Sequence, residues 1–398
     1  MKIRIGPPVT GDNFYERPAL IESLLRALRR GNVAFLGPRR TGKTSCLEKI
    51  AANPREYLPI LLNLEKHDTV EAWLSDMLAE LRAALDCPQP RISWVRGKVA
   101  EFLGRIRKID VPNFGGIEIS ARRQHPPWRK AADEFLALLK GTEIPALFLL
   151  DEFPTFLKLV AKKSSATEVE AVLNWFRAAR HTLKDSPARF LVTGSIGLKG
   201  VVHSLGLAPT VNEFDTHEIP PLSDPEALGL LEVLARNENV KLSDSGRRYI
   251  LVLLGANWPI LLQLFISEIQ DAGFTQAPAK KQLEEIYWKR LVGGSRNQYC
   301  DGMYDRIKNI FSPSETRLAR ALLKEAWRLP GGLKRDDLEA VHARLVPNPG
   351  LRLLEAEMLD DVLHTLKHDG YLLQATGEGH LTRFASNILR DYWQRKTM

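Results

Sequence analysis

The sequence predicts an α/β protein: a parallel sheet covered by helices on both faces, then an all-helical segment, then a C-terminal group of helices with a short hairpin. Three observations predict it. Short apolar runs alternate with amphipathic segments through the first half of the chain; the glycine-rich stretch "GPRRTGKTS" joins one apolar run to a helix; and the apolar run "ALFLL" stops at Asp151-Glu152. Alternation of strand and helix signatures argues for crossover units, which make a parallel sheet. A strand with no polar residue until its end belongs in the middle of such a sheet.

With 398 residues, 44% of them apolar, the chain can bury a large core and divide into two or three domains. No apolar run approaches the roughly 18 residues of a membrane span, and the first residues lack a secretion signal. Cytoplasmic localisation and no membrane partner are the expectations. Cys46, Cys87 and Cys300 are far apart and lack metal-site spacing, so neither a disulfide framework nor a zinc site is expected. The formal charge of +8 is unevenly distributed: from Arg96 to Lys130 there are nine cations against three anions.

The first elements are an entry segment and helix over 1–30, then the strand "NVAFL" and a helix from about Thr44 to Ala52. The strand "LPILLNLE" (58–65) follows, with helices over "TVEAWLSDMLAELRAAL" and "WVRGKVAEFLGRIRK". Lys43 and Asp151 stand too far apart for one strand-helix unit, so an insertion is expected over about 84–130. Within it "KIDVPNFGGIEISARRQHPPWRK" alternates like a hairpin turning near Gly115-Gly116 and holds much of the basic excess, including Arg122 and Arg123. It reads equally as a contact for nucleic acid or another partner and as a solvated surface. A further strand, "ARFLVTGSIG", starts at Ala188.

"GPRRTGKTS" matches G-x-x-x-x-G-K-[ST] at Gly37, Gly42, Lys43 and Thr44. Each position has a physical task. The glycines allow the tight turn that points N–H groups at phosphate oxygens, Lys43 neutralises β- and γ-phosphate charge, Thr44 supplies a hydroxyl to Mg²⁺, and the helix that follows presents its positive end. The strand before it and the helix after it are the context this motif requires. The whole segment Gly37, Pro38, Arg39, Arg40, Thr41, Gly42, Lys43, Thr44 and Ser45 is therefore the candidate site for ATP or ADP. At the end of the apolar strand Asp151 is the candidate second Mg²⁺ ligand, through water, and Glu152 the base that orients and deprotonates the attacking water. On the strand from Ala188, Ser195 is the first candidate to sense the γ-phosphate or the water and Thr193 the second. Both can also be read as ordinary turn residues.

These residues, in this order, resemble the AAA+ superfamily and, within it, the STAND-like P-loop ATPases of archaea and bacteria. The resemblance is carried by "GDNFYERPALIESLLRAL", "FLGPRRTGKTS", "LFLLDEFP", "FLVTGSIG", "HEIPPLSDPEALGLLEVLA" and "LLGANWPILLQLF". The loop and "LFLLDEFP" correspond to that group's Walker A and Walker B motifs. In the entry segment, Glu16 stands before Arg17 and Pro18 where the group usually has Gly or Asp. A lid arginine aimed at the γ-phosphate is lacking in "GANWPILLQ". The resemblance implies instead a Gly255…Pro259 element whose proline packs near the adenine or ribose, and hydrolysis that is slow or partner-stimulated. Arg177 and Arg180, on the helix after Glu152, are the candidates for an arginine acting in trans, which would require an oligomer.

The implied organisation is an ATPase core over 1–221, a helical lid over 222–291 with caps at Ser223 and Ser243, a polar glycine-rich linker over 292–311, and a C-terminal domain over 312–398. In that domain three helices precede two short strands around Thr376-Gly377-Glu378-Gly379, which looks like a winged helix-turn-helix. Its third helix, Leu351 to Asp369, carries two cations against five anions and suits a protein contact better than a DNA backbone. Trp128, Trp175, Trp258 and Trp393 sit among apolar neighbours and read as core or rim rather than base-stacking platforms. The function expected is a Mg²⁺-dependent ATP switch coupling nucleotide state to the lid and the winged helix, with a protein partner or self-association. The alternatives are a DNA-binding AAA+ ATPase and a slow nucleotide-bound scaffold.

Overall fold

The computed structural model describes residues 1–86, 104, 128–141, 143–195, 198, 201–202, 214–294, 297–347, 356–375 and 380–398. Cys87, most of the basic insertion with Arg122 and Arg123, the start of the third C-terminal helix and the Thr376–Gly379 turn lie outside them. The chain forms two compact units, Glu16–Leu36 with Lys43–Ile219, and Met1–Tyr15 with Gly37–Gly42 and Pro220–Met398.

In the first unit, β1 (Val33–Leu36), β2 (Leu58–Asn63), β3 (Ala146–Asp151), β4 (Arg189–Gly194) and β5 (Asp215–Glu218) make one sheet. Its order is β2-β3-β4-β1-β5 and the pairings are parallel, as the alternation of elements requires. β4 thus separates the strand before the glycine-rich loop from the strand that ends in the acids. All six residues of β3 are buried. Successive side chains point to opposite faces, so both faces of β3 are covered, which is why the strand reads as an unbroken apolar run.

The helices α1 (Pro18–Arg30), α2 (Lys43–Ala52), α3 (Val70–Asp86), α4 (Trp128–Lys140), α5 (Phe153–Lys163) and α6 (Ala166–Thr182) supply the cover. Pro18 occupies the first turn of α1, where its missing N–H costs nothing, and the Ser165 hydroxyl accepts the Glu168 N–H to start α6. The core is strongly aromatic. Trp73 stacks on Phe176 with ring centroids 5.6 Å apart, and Phe148 of β3 on Phe190 of β4 at 4.9 Å. Trp128 and Trp175 are fully buried here, as expected. Arg177 and Arg180 lie on α6, the second helix after Glu152 rather than the first, because Ser164 and Ser165 break what the sequence reads as one helix.

The second unit contains α7 (Asp224–Asn237), α8 (Asp244–Leu254), α9 (Pro259–Asp271) and α10 (Lys280–Glu285), the last continuing as a π-helix over Ile286–Val292. Ser223 and Glu226 form a reciprocal capping box for α7, and Ser243 caps α8. The N-terminal segment is tied to these helices: the Ile3 N–H bonds Glu238 at 2.9 Å and the Arg4 N–H bonds Gln263 at 2.8 Å.

Where the sequence reads as a linker, the structure has a helix, α11 (Gln298–Ile310). The Asn297 side chain accepts the Cys300 N–H, and Tyr299, Cys300, Met303 and Ile307 are buried at helical spacing. The preceding glycines and scattered polar residues hide this period. Then come α12 (Pro313–Arg328), α13 (Arg335–Leu345), α14 (Ala356–His368), the antiparallel pair β6 (Leu372–Gln374) and β7 (Thr382–Phe384), and α15 (Asn387–Thr397). Arg335 of α13 pairs with Asp360 of α14, so part of the acidity of α14 is used inside the protein. Buried polar bonds fix α15 to its neighbours: Tyr287 donates to Asp391 at 2.6 Å and Arg395 to the Val292 carbonyl at 2.7 Å. Trp258 and Trp393 are buried in this unit.

Candidate functional site

The acids of β3 and the residues that open α2 meet at the C-terminal ends of the strands, where a parallel sheet presents its ligand crevice. Lys43 and Thr44 begin α2; Lys43 is 5% exposed. The Thr44 hydroxyl donates to Asp151 Oδ2 at 2.6 Å, and the Thr193 hydroxyl donates to the other oxygen of the same carboxylate. Asp151, 3% exposed, is thus held from two elements far apart in sequence. Two residues brought together only by the fold, one from the motif helix and one from the apolar strand, share one hydrogen bond.

Glu152 follows with left-handed backbone (φ 57°), an unfavourable conformation for a side chain larger than glycine. It turns the chain directly from strand into α5, with Pro154 in the first turn. One of its carboxylate oxygens, Oε2, accepts from the Ser195 hydroxyl at 3.0 Å and from the Thr155 hydroxyl at 3.0 Å. Ser195, the first candidate, just past the end of β4, therefore bonds Glu152, while Thr193, the second, on β4, bonds Asp151.

One residue of this site carries no mark in the sequence motif. Glu48, one helical turn beyond Thr44 on the same face of α2, has its carboxyl pKa raised, first by burial and then by the charge of Asp151. The i, i+4 spacing from Thr44 was the signal that could have found it. Neighbouring Cys46 is buried, and burial pushes its thiol up to about 11 although Arg17 and Lys43 pull the other way. It is a packing residue.

The loop itself, Gly37–Gly42, belongs to the second unit. Gly37 (φ 145°), Arg40 (φ 61°) and Gly42 (φ 99°) have positive φ, the backbone that turns successive N–H groups inward in an anion-holding loop. The Thr41 hydroxyl bonds the Pro38 carbonyl at 2.8 Å and braces the turn. Arg39 and Arg40 are exposed, Ser45 is buried. Pro38 packs against Gly370 so closely that a Cβ there would lie 2.6 Å from the proline ring. Pro259 opens α9 at its first position and Gly255 closes α8 in left-handed conformation, so both punctuate helices.

The donors fit Mg²⁺: the Thr44 hydroxyl and the Asp151 carboxylate are hard oxygen ligands, and a dication held there would offset the smaller part of the Glu48 shift, the part that comes from Asp151 after burial. Among the described residues no three His, Cys, Asp or Glu side chains are grouped so as to hold a metal ion by themselves.

The five-stranded parallel sheet with helices around it is the α/β architecture of AAA+ P-loop folds. No protein-family model matches the sequence, and no curated protein matches it. Among solved structures the chain is similar to the Walker-type ATPase PABY2304 of Pyrococcus abyssi, with TM-score 0.59 and 16% identity over 98% of this chain and 99% of that one. It is also similar to the ORC2 protein of Aeropyrum pernix (TM-score 0.47, 15% identity, 99% and 96% covered) and to the RuvB branch migration motor of Thermotoga maritima (0.41, 12%, 95% and 94%). No helix among the described residues is long and apolar enough to cross a membrane.

Proposed function

We propose that the protein is a Mg²⁺-dependent ATPase working as a conformational switch. The observation that carries this reading is the hydrogen bond from Thr44 to Asp151, which joins the Walker A helix to the Walker B strand and places Glu152 beside them. Lys43 binds the β- and γ-phosphates as a point charge. Thr44 and Asp151 would hold Mg²⁺, which when bound neutralises phosphate charge and polarises the bond to be broken. Glu152 orients the attacking water and takes its proton, and the Ser195 and Thr155 hydroxyls hold its carboxylate. ADP and phosphate are the products.

Coupling to the rest of the chain is supported by the grouping of Gly37–Gly42 with the C-terminal half, and by the seating of Pro38 on Gly370 immediately after α14. A loop that changes with phosphate occupancy is thereby pressed against the segment we read as a winged helix, formed by α12 to α14 with β6 and β7. The segment 222–291 serves as the lid, with Pro259 near the nucleotide base. This is the STAND form of the AAA+ switch, with a protein partner or self-association receiving the change.

The test is ATP turnover by the purified protein, with Glu152→Gln as the comparison. The variant is expected to bind ATP as tightly as the parent and to lose hydrolysis by on the order of 10²-fold or more. Parent-like turnover in Glu152→Gln would sink the reading.

The nine-to-three excess of cations between Arg96 and Lys130 favours a second reading, an AAA+ ATPase that contacts DNA through this stretch. Reversing Arg122 and Arg123 to Glu is expected to weaken duplex binding and reduce its salt slope by about 2. An unchanged slope removes the stretch from the interface.

A further inference from the structure

At the opposite, N-terminal ends of the strands, the first unit has a cavity of about 260 Å³ that the ATPase reading does not use. Four cations line it: Arg30 at the end of α1, Arg180 in the last turn of α6, Lys184 just beyond, and Arg189 opening β4. One carboxylate, Asp215 at the start of β5, faces them, and Arg30 reaches it at 3.3 Å. Lys184 also approaches Asp185 at 3.8 Å, so the four cations together with these two carboxylates keep a formal charge of +2. A concavity of one sign, walled by low-dielectric protein, concentrates the opposite charge.

The walls are pre-organised. The Arg189 guanidinium is held by main-chain carbonyls of Leu28, Ser186 and Ala188, which fix its place without cancelling its charge. Asn32, buried, gives its side-chain oxygen to the Phe190 N–H and its carbonyl to the Asp215 N–H. Cations at a helix C-terminus are ordinary, since they compensate the helix dipole. That accounts for Arg180 and Lys184 but not for Arg30 and Arg189, which arrive from two other elements. Convergence of three elements on one pocket is the feature that needs a ligand.

We propose that this cavity binds a phosphate group. The fixed Arg189 guanidinium with Arg30, Arg180 and Lys184 beside it suits a tetrahedral oxyanion. The volume lies below the roughly 300–1,000 Å³ of pockets for drug-sized ligands, which favours a small anion or one phosphate of a longer chain.

The experiment titrates inorganic phosphate by calorimetry into the full chain, into Arg180→Glu/Lys184→Glu, and into Lys43→Ala, which disables the loop site. The double variant is expected to weaken phosphate binding roughly tenfold or more, while Lys43→Ala keeps it. Because charge reversal can unfold a chain, Arg180→Gln/Lys184→Gln is measured beside it, with thermal unfolding as the control, and Arg180→Lys/Lys184→Arg is expected to retain binding. A short single-stranded oligonucleotide, followed by anisotropy, separates the sources. Parallel loss of oligonucleotide binding identifies a backbone phosphate, and loss confined to inorganic phosphate identifies a free anion. Binding unchanged in both double variants, or abolished by Lys43→Ala, overturns the proposal.

Discussion

The two ends of the same sheet solve opposite electrostatic problems. At the C-terminal ends of β3 and β4, two carboxylates sit side by side, and each is held by hydroxyl donors: Asp151 by Thr44 and Thr193, Glu152 by Ser195 and Thr155. At the N-terminal ends of β1, β4 and β5, cations gather and the best fixed of them, Arg189, is held by carbonyls. Hydroxyls position both acids and carbonyls position Arg189 without neutralising them, whereas Arg30 and Lys184 are paired with Asp215 and Asp185.

The largest effect that could break this comparison comes from Lys43→Ala. ATP binding is expected to fall by on the order of 10²-fold or more, since a buried ammonium paired with phosphate is worth about 2–5 kcal/mol. Calorimetry with ATP measures it, and binding of parental strength would remove the loop as the phosphate site. Loss of phosphate binding at the far end as well would show that the two ends are not independent. Ser195→Ala tests a finer point. It removes one of two hydroxyls that orient Glu152, worth about 1 kcal/mol, so kcat should fall roughly fivefold with KM unchanged. A change in KM alone would place Ser195 on the nucleotide rather than on the base.

The smallest effect concerns stability. Glu71, in the first turn of α3, has its pKa raised, chiefly by burial and further by Glu168. A carboxyl whose folded pKa exceeds its unfolded value holds its proton more tightly in the folded state. Stability therefore falls as pH rises from the ordinary glutamate range through the raised value, and is level above it. Glu71→Gln should flatten that fall and leave the protein slightly more stable at neutral pH, as read from urea midpoints against pH. A steeper fall in the variant would mean that the charge is stabilising where it stands.

The three strands that carry the proposed chemistry were legible in the sequence because each obeys a local rule. β1 precedes a loop of fixed glycine spacing, β3 is apolar until its acids, and β4 is apolar until Thr193. β5 was not legible. Its residues, Asp215-Thr216-His217-Glu218, are polar and mostly exposed, and it becomes a strand only because β1 offers it a parallel edge, Val33 opposite Asp215. α11 was hidden for a different reason: its apolar period begins behind glycines and polar residues, and its burial depends on the C-terminal helices packing round it.

The sequence by itself determined the α/β class, the loop from Gly37 to Ser45, and the identity of Asp151 and Glu152 as the acids. Each of these is written in consecutive residues whose backbone and charge properties need no partner. Only the tertiary structure decided which hydroxyl serves which acid, that Glu48 stands beside Asp151, and that Arg30, Arg180 and Arg189 share one cavity. Those relations join residues far apart in the chain, and proximity of that kind exists only after burial of the aromatic core has brought strands and helices together.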